Sequence, residues 1–208
     1  MYTFFDTVWR YIGDIFFDTL WDDIQNHISN PRDLTEHYHV DFPNIALHTI
    51  LVATQYSQIE NMLESYKYHS ERLYCDVFVD MLAEIIVTQD TTDAVLVAVP
   101  MHWSRYTLRG FDHMDMILRW LSKKLNIPYM QPLRAGFSMR QSKLSRAKRL
   151  ENRKNRFTID NSVILPHTVF LIDDVISTGA TAHECARVLR DHGAEKLIGV
   201  FLASSAEL

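Results

Sequence analysis

Glycine is scarce in this chain, with six in 208 residues. Gly13, Gly110, Gly136, Gly179, Gly193 and Gly199 are too scattered for a G-x-G-x-x-G turn, and none is followed by lysine. A G-x-x-x-x-G-K-[ST] phosphate loop is thereby excluded, and a glycine-rich dinucleotide turn with it. Cysteine is scarcer still. Cys75 and Cys185 stand far apart and supply neither a disulfide framework nor a cysteine-based zinc site, which suits a reducing, cytoplasmic setting. No run of roughly 20 apolar residues is present, so no membrane span is expected. The aromatic N-terminus is broken by Asp6, Arg10, Asp14, Asp18, Asp22 and Asp23, and no signal peptide is expected there. Basic residues are in deficit: Lys and Arg number 21 against 26 Asp and Glu, a net charge of −5. The chain as a whole therefore has no electrostatic drive toward nucleic acid.

Apolar residues make up 47% of the chain, ample for a core. Residues 2–28 place Phe5, Val8, Trp9, Ile12, Ile15, Phe16, Leu20 and Ile24 at helical spacing, with aspartates opposite. An acidic polar face argues for packing on the domain or on a partner rather than on a lipid surface. Residues 29–48 read as loop, and His37 and His39 lack the further ligands a metal site needs. Helices are expected over about 55–67, 71–88, 111–125 and 181–192, the last ended by Gly193. Strands are expected at Ala94–Val99, within Pro128–Pro132, at Phe157–Ile159, at Thr168–Ile172 and at Leu197–Ala203. Alternating strands and helices predict an α/β fold with a mostly parallel central sheet flanked by helices. The domain edge is placed at 54/55, with residues 1–54 as a helical N-terminal segment and 55–208 as the main domain.

The most informative run is Val169-Phe170-Leu171-Ile172-Asp173-Asp174-Val175-Ile176-Ser177-Thr178-Gly179-Ala180-Thr181. A buried strand leads into two carboxylates at the end of the sheet where open α/β folds bind ligands. A hydroxyl-rich turn follows and opens a helix. Gly179 lets the backbone approach an anion, and the unpaired N–H groups of the helix start face it. Carboxylates suited to a diol beside a phosphate loop suit a ribose 5-phosphate.

These thirteen residues resemble the signature of type I phosphoribosyltransferases, which bind phosphoribosyl pyrophosphate (PRPP). The resemblance implies Asp173 and Asp174 on the ribose hydroxyls, and Ser177, Thr178, Gly179, Ala180 and Thr181 on the 5′-phosphate. It also implies Mg²⁺, held mainly through ligand oxygens and water near the two aspartates. The leaving pyrophosphate then needs cations. Arg105 and Arg109 stand in the loop after the first buried strand, where their planar forks suit phosphate oxygens. Lys67 is a further candidate for the same anion. Residues 136–152 form a basic segment with Arg140, Gln141 and Arg149, placed to close over the pyrophosphate and exclude water.

Lys67-Tyr68, Pro100, Arg105, Arg109-Gly110-Phe111, Gln141, Leu144-Ser145, Arg149, Asn152 and Phe157, followed by the signature, resemble the ComF family. These are phosphoribosyltransferase-like proteins linked to natural competence and DNA uptake. The likeness spans roughly residues 55–203. Two features depart from the family pattern. Many members carry a four-cysteine zinc ribbon, which two cysteines cannot build. Asp112 stands where the family often has Asn, and a carboxylate beside a pyrophosphate loop needs a cation or must turn away. The expected activity is transfer of the phosphoribosyl group from PRPP to a nitrogenous base, probed against two alternatives. One is a non-catalytic module that senses PRPP or a nucleotide for a protein partner, which the 1–54 segment could contact. The other is nucleic-acid binding by the basic stretch 134–156, where few aromatics interleave with the charges. A homodimer stays open on the sequence alone.

Overall fold

The structure, a computed structural model, describes residues 38–39, 45–69, 73–101, 112–136 and 156–206. All of them lie in one compact unit, His37–Leu208. The helix expected over residues 2–28 and His37 lie outside the described residues. In chain order the elements are β1 (Tyr38–His39), β2 (Thr49–Gln55), α1 (Tyr56–His69), α2 (Leu73–Ile86), β3 (Ala94–Ala98), α3 (His113–Leu125), β4 (Tyr129–Met130), β5 (Leu133–Ala135), β6 (Phe157–Ile159), β7 (Thr168–Ile176), α4 (Ala180–Asp191) and β8 (Lys196–Ser204).

Six strands form the central sheet in the order β1-β2-β8-β7-β3-β4, and β5 pairs with β6 separately. Every pairing in the large sheet is parallel except β1 with β2. The expected architecture, a mostly parallel sheet flanked by helices, is the one observed. Its middle strands are apolar on both faces because helices cover both. Val95, Val97, Val99, Val169, Leu171 and Leu197 pack against Cys185, Ala186, Val188 and Leu189 of α4. Leu96, Phe170 and Ile172, equally buried, alternate to the other face. Helix α2 packs on β8 and α3, and α3 on β3. No helix among the described residues is long and apolar enough to cross a membrane.

The strand order positions a site. From β3 the chain leaves through α3 to β4, on one side. From the adjacent β7 it leaves through α4 to β8, on the other. Strands β3 and β7 therefore flank a topological switch point, and the crevice opens at their carboxyl ends.

The structure moves three boundaries. Strand β7 does not stop at Ile172. It stays paired with β8 through Asp173↔Phe201, Val175↔Ala203 and Ile176↔Ser204. Val175 and Ile176 continue the strand, so the two carboxylates stand within it. The sheet also begins ahead of residue 55. Thr49–Gln55 lies parallel to β8, with Ile50 to Ala53 buried, and β1 adds a further edge at 38–39 within the stretch read as loop. A short apolar run such as Thr49–Gln55 is ambiguous until its partner strand is known. Finally, β5 follows β4 closely. Its three residues show no period of their own and are a strand because β6 pairs with them.

Candidate functional site

Asp174 sits in the last third of β7, and two side chains from other elements converge on it. The Lys67 ammonium, from the last turns of α1, forms an ion pair with Oδ2. The His113 Nε2–H, from the first residue of α3, donates to the same oxygen at 3.0 Å. The cluster is mostly enclosed: 16% of the Asp174 side chain is exposed, 14% of Lys67 and 6% of His113. Burial alone pushes the Asp174 carboxyl up. The hydrogen bond from His113 and the positive charge of Lys67 outweigh it and hold the group below the usual carboxylate range. Asp173 stands on the opposite side of the pleat, and its Oδ1 accepts the Asp174 backbone N–H at 2.9 Å. The pair thus presents one carboxylate toward α1 and α3 and one toward the α4 side.

His113 is fixed from several directions. Asp112 caps α3, its carboxylate accepting from the N–H groups of Met114 at 3.0 Å and Asp115 at 3.2 Å. This answers the departure noted at that position, since the carboxylate turns into the helix start and its charge suits the helix dipole. The Tyr66 hydroxyl donates to the His113 carbonyl at 2.8 Å. Tyr66 is fully buried, edge-on to Phe78 at 5.5 Å and to His113 at 6.2 Å between ring centroids. Burial pushes the Tyr66 hydroxyl well above its ordinary value, so it stays a donor. The Cys75 thiol is pushed up to about 11 by burial, and Cys185 is raised by burial too. Both are core thiols rather than nucleophiles.

The Ser177–Thr181 turn leads directly from β7 into α4. Gly179 takes the N-cap position at φ 68°, a left-handed conformation that costs a residue with Cβ roughly 1–2 kcal/mol. No side chain caps the helix through Gly179, and no acidic residue stands in its first turn. The Ala180 N–H meets the Thr178 hydroxyl at 3.4 Å. Ser177 and Thr178 are exposed, and Thr181 is half-buried. The result is a helix start with its dipole and N–H groups directed at a hydroxyl-bearing turn, an arrangement suited to an anion.

Of the residues singled out from sequence, the structure brings together Asp173, Asp174, Ser177, Thr178, Gly179, Ala180, Thr181 and Lys67 at one end of the sheet. Arg105, Arg109, Arg140, Gln141 and Arg149 lie outside the described residues. Their flanks are described. The chain enters 102–111 from the carboxyl end of β3, the neighbour of β7. It leaves β5 and returns through β6 with Gly136 N–H bonded to the Arg156 carbonyl at 2.7 Å. Sequence reasoning missed His113. A histidine opening a helix carries no pattern, and only the capping aspartate before it marked the position. Lys67, expected at the pyrophosphate, pairs with Asp174 in this structure.

No family model matches the chain. Curated proteins do. "Competence protein F" of Haemophilus influenzae is 32% identical over 106 residues, 49% of this chain and 46% of that protein. "Competence protein ComFC" of Streptococcus pneumoniae is 25% identical over 144 residues, 69% and 62% respectively. "DNA utilization protein YhgH" of Escherichia coli K12 is 32% identical over 120 residues, 55% and 52%. The chain thus spans about half to three-fifths of the length of these relatives. The names agree with the ComF resemblance carried by the motifs. Among solved structures, a glutamine PRPP amidotransferase from B. subtilis, complexed with ADP and GMP, aligns with 66% of this chain and 30% of its own at 17% identity, TM-score 0.44. An adenine phosphoribosyltransferase from Leishmania tarentolae aligns with 79% and 94% at 14% identity, TM-score 0.41.

Proposed function

We propose that this chain is a phosphoribosyltransferase-like protein of the ComF type that binds PRPP with Mg²⁺ and transfers its phosphoribosyl group to a nitrogenous base. One observation carries the reading. A carboxylate pair at the end of β7, beside the β3–β7 switch point, runs within a few residues into the start of α4, where the N-cap residue Gly179 has positive φ and offers no side chain. The order of groups along the chain matches the order of groups along a ribose 5-phosphate: diol, then phosphate.

In this reading the Ser177–Thr181 turn anchors the 5′-phosphate, and Asp173 and Asp174 hold the ribose hydroxyls. Their negative charge also offsets positive charge developing at C1. The C1–O bond to pyrophosphate breaks, and its electron pair leaves with pyrophosphate. The base nitrogen forms the new C1–N bond, and its proton passes to solvent. Arg105 and Arg109 receive the pyrophosphate charge. Carboxylate oxygens are donors of the hard kind Mg²⁺ takes. Because Asp174 Oδ2 already receives two donors, the ion would sit chiefly on ligand oxygens and water, near Asp173. When bound it would supply charge neutralisation to the pyrophosphate. The names of the curated relatives, competence proteins and a DNA utilization protein, support a role for this chain in competence or DNA use.

The test is a calorimetric titration of PRPP with Mg²⁺ into the wild type and an Asp173→Asn, Asp174→Asn double variant. Binding by the wild type that the folded variant loses is the expected result, followed by base-dependent release of pyrophosphate. Binding without release for any base would favour the sensing module. No binding by the folded wild type would overturn the proposal.

A further inference from the structure

Two donors meet at one oxygen of Asp174, the carboxylate that the PRPP reading places on a ribose hydroxyl. A carboxylate oxygen has two in-plane lone pairs. On Asp174 Oδ2 these are occupied by Lys67 and His113. A ribose hydroxyl that takes this oxygen, rather than Oδ1, therefore competes with one of the two. The neighbours differ in freedom to leave. The His113 ring is buried, its carbonyl is clamped by Tyr66, and the helix turn that carries it is capped by Asp112. Lys67 ends a flexible four-carbon stem near the end of α1, with its side chain 14% exposed.

We infer that Lys67 is an exchangeable counter-ion: it holds Asp174 while the site is empty and passes to the ligand's anionic oxygens when the ribose diol takes its place. His113 stays on Asp174 throughout and is the positioning residue for that carboxylate. The inference rests on the PRPP reading and adds a charge hand-over to it. Asp174 exchanges a cation for hydroxyl donors, and Lys67 exchanges a carboxylate for a pyrophosphate oxygen. Neither charge is left alone in the enclosed cluster at either end, which is the arrangement a half-buried pair requires.

Two ligands separate the parts. Ribose 5-phosphate carries the diol and the phosphate but no pyrophosphate, so it removes Lys67 from Asp174 without offering the leaving-group oxygens. In Lys67→Gln, PRPP binding should weaken about tenfold, the scale of one charge-assisted hydrogen bond. Ribose 5-phosphate binding should strengthen in the same variant, because its competitor for Oδ2 is gone. His113→Leu should weaken both ligands, and His113→Gln, which keeps a donor near the Nε2 position, should restore much of both. Thermal melting of each variant checks that it is folded, and Lys67→Met serves if Lys67→Gln is not. Equal weakening of both ligands in the Lys67 variants would overturn the hand-over and make Lys67 a fixed part of the diol site. Unchanged ligand binding in His113→Leu would overturn the positioning role. Absence of PRPP binding in the wild type would remove the underlying reading itself, an outcome distinct from both.

Discussion

At the scale of single residues, the chemistry concentrates on Asp174. Its carboxyl is held below the usual range because His113 and Lys67 favour the charged form more strongly than burial opposes it. A carboxyl depressed in the folded state adds stability that is present above its unfolded value of roughly 4 and is lost as pH falls through the folded value. Asp174→Asn removes that contribution and leaves Lys67 without its carboxylate. The melting temperature of the variant should lie well below that of the wild type at pH 7, and the gap should narrow as pH falls from about 4 toward 2.5. Thermal melts across that range check it; a gap that does not change with pH would locate the loss elsewhere. The aspartate pair and the Ser-Thr-Gly-Ala-Thr turn were legible in sequence because their meaning lies in adjacency. His113 was not, because its meaning lies 61 residues away from the carboxylate it touches.

At the scale of elements, the start of α3 sets the site's precision. Asp112 caps two N–H groups there, and the next residue is the histidine that meets Asp174. Asp112→Ala should cost about 1 kcal/mol of stability, the usual worth of an N-cap. Asp112→Asn, which keeps an accepting oxygen, should stay within a few tenths of a kcal/mol of the wild type. Urea denaturation of the two variants decides this, and equal losses would show that the cap is not what holds the turn. The helix ends were legible to within a few residues: expected bounds of 111–125 and 181–192 became 113–125 and 180–191. The strand ends were less so. Asp173 and Asp174 looked like the stop of a strand, but the ladder to β8 carries the backbone on to Ile176, since polar side chains at a ligand-facing end do not break main-chain pairing.

At the scale of the whole molecule, the sheet decides what belongs to the domain. Strand β2 lies between β1 and β8, and its residues Ile50 to Ala53 are buried. A chain beginning at residue 55 should therefore fail to fold, because it strips β8 of a parallel partner along Thr49 to Gln55. The same loss would uncover the surface on which Ile50 and Val52 meet Phe201, Ile176 and Ala182. Circular dichroism and melting of that truncated chain, set beside the full chain, test this. A cooperative native melt from the truncated protein would instead support the edge at 54/55.

The sequence by itself determined the fold class, the helices among the described residues and the local order of carboxylates, hydroxyls and glycine, because each of these is written in neighbouring residues and in periods of two or 3.6. Tertiary structure alone decided the strand order, the place of Thr49–Gln55 in the sheet, and the meeting of Lys67, His113 and Asp174. Those depend on which segments pair across long separations. A parallel sheet places its partners through crossovers, and no local pattern in the chain records where the next strand will land.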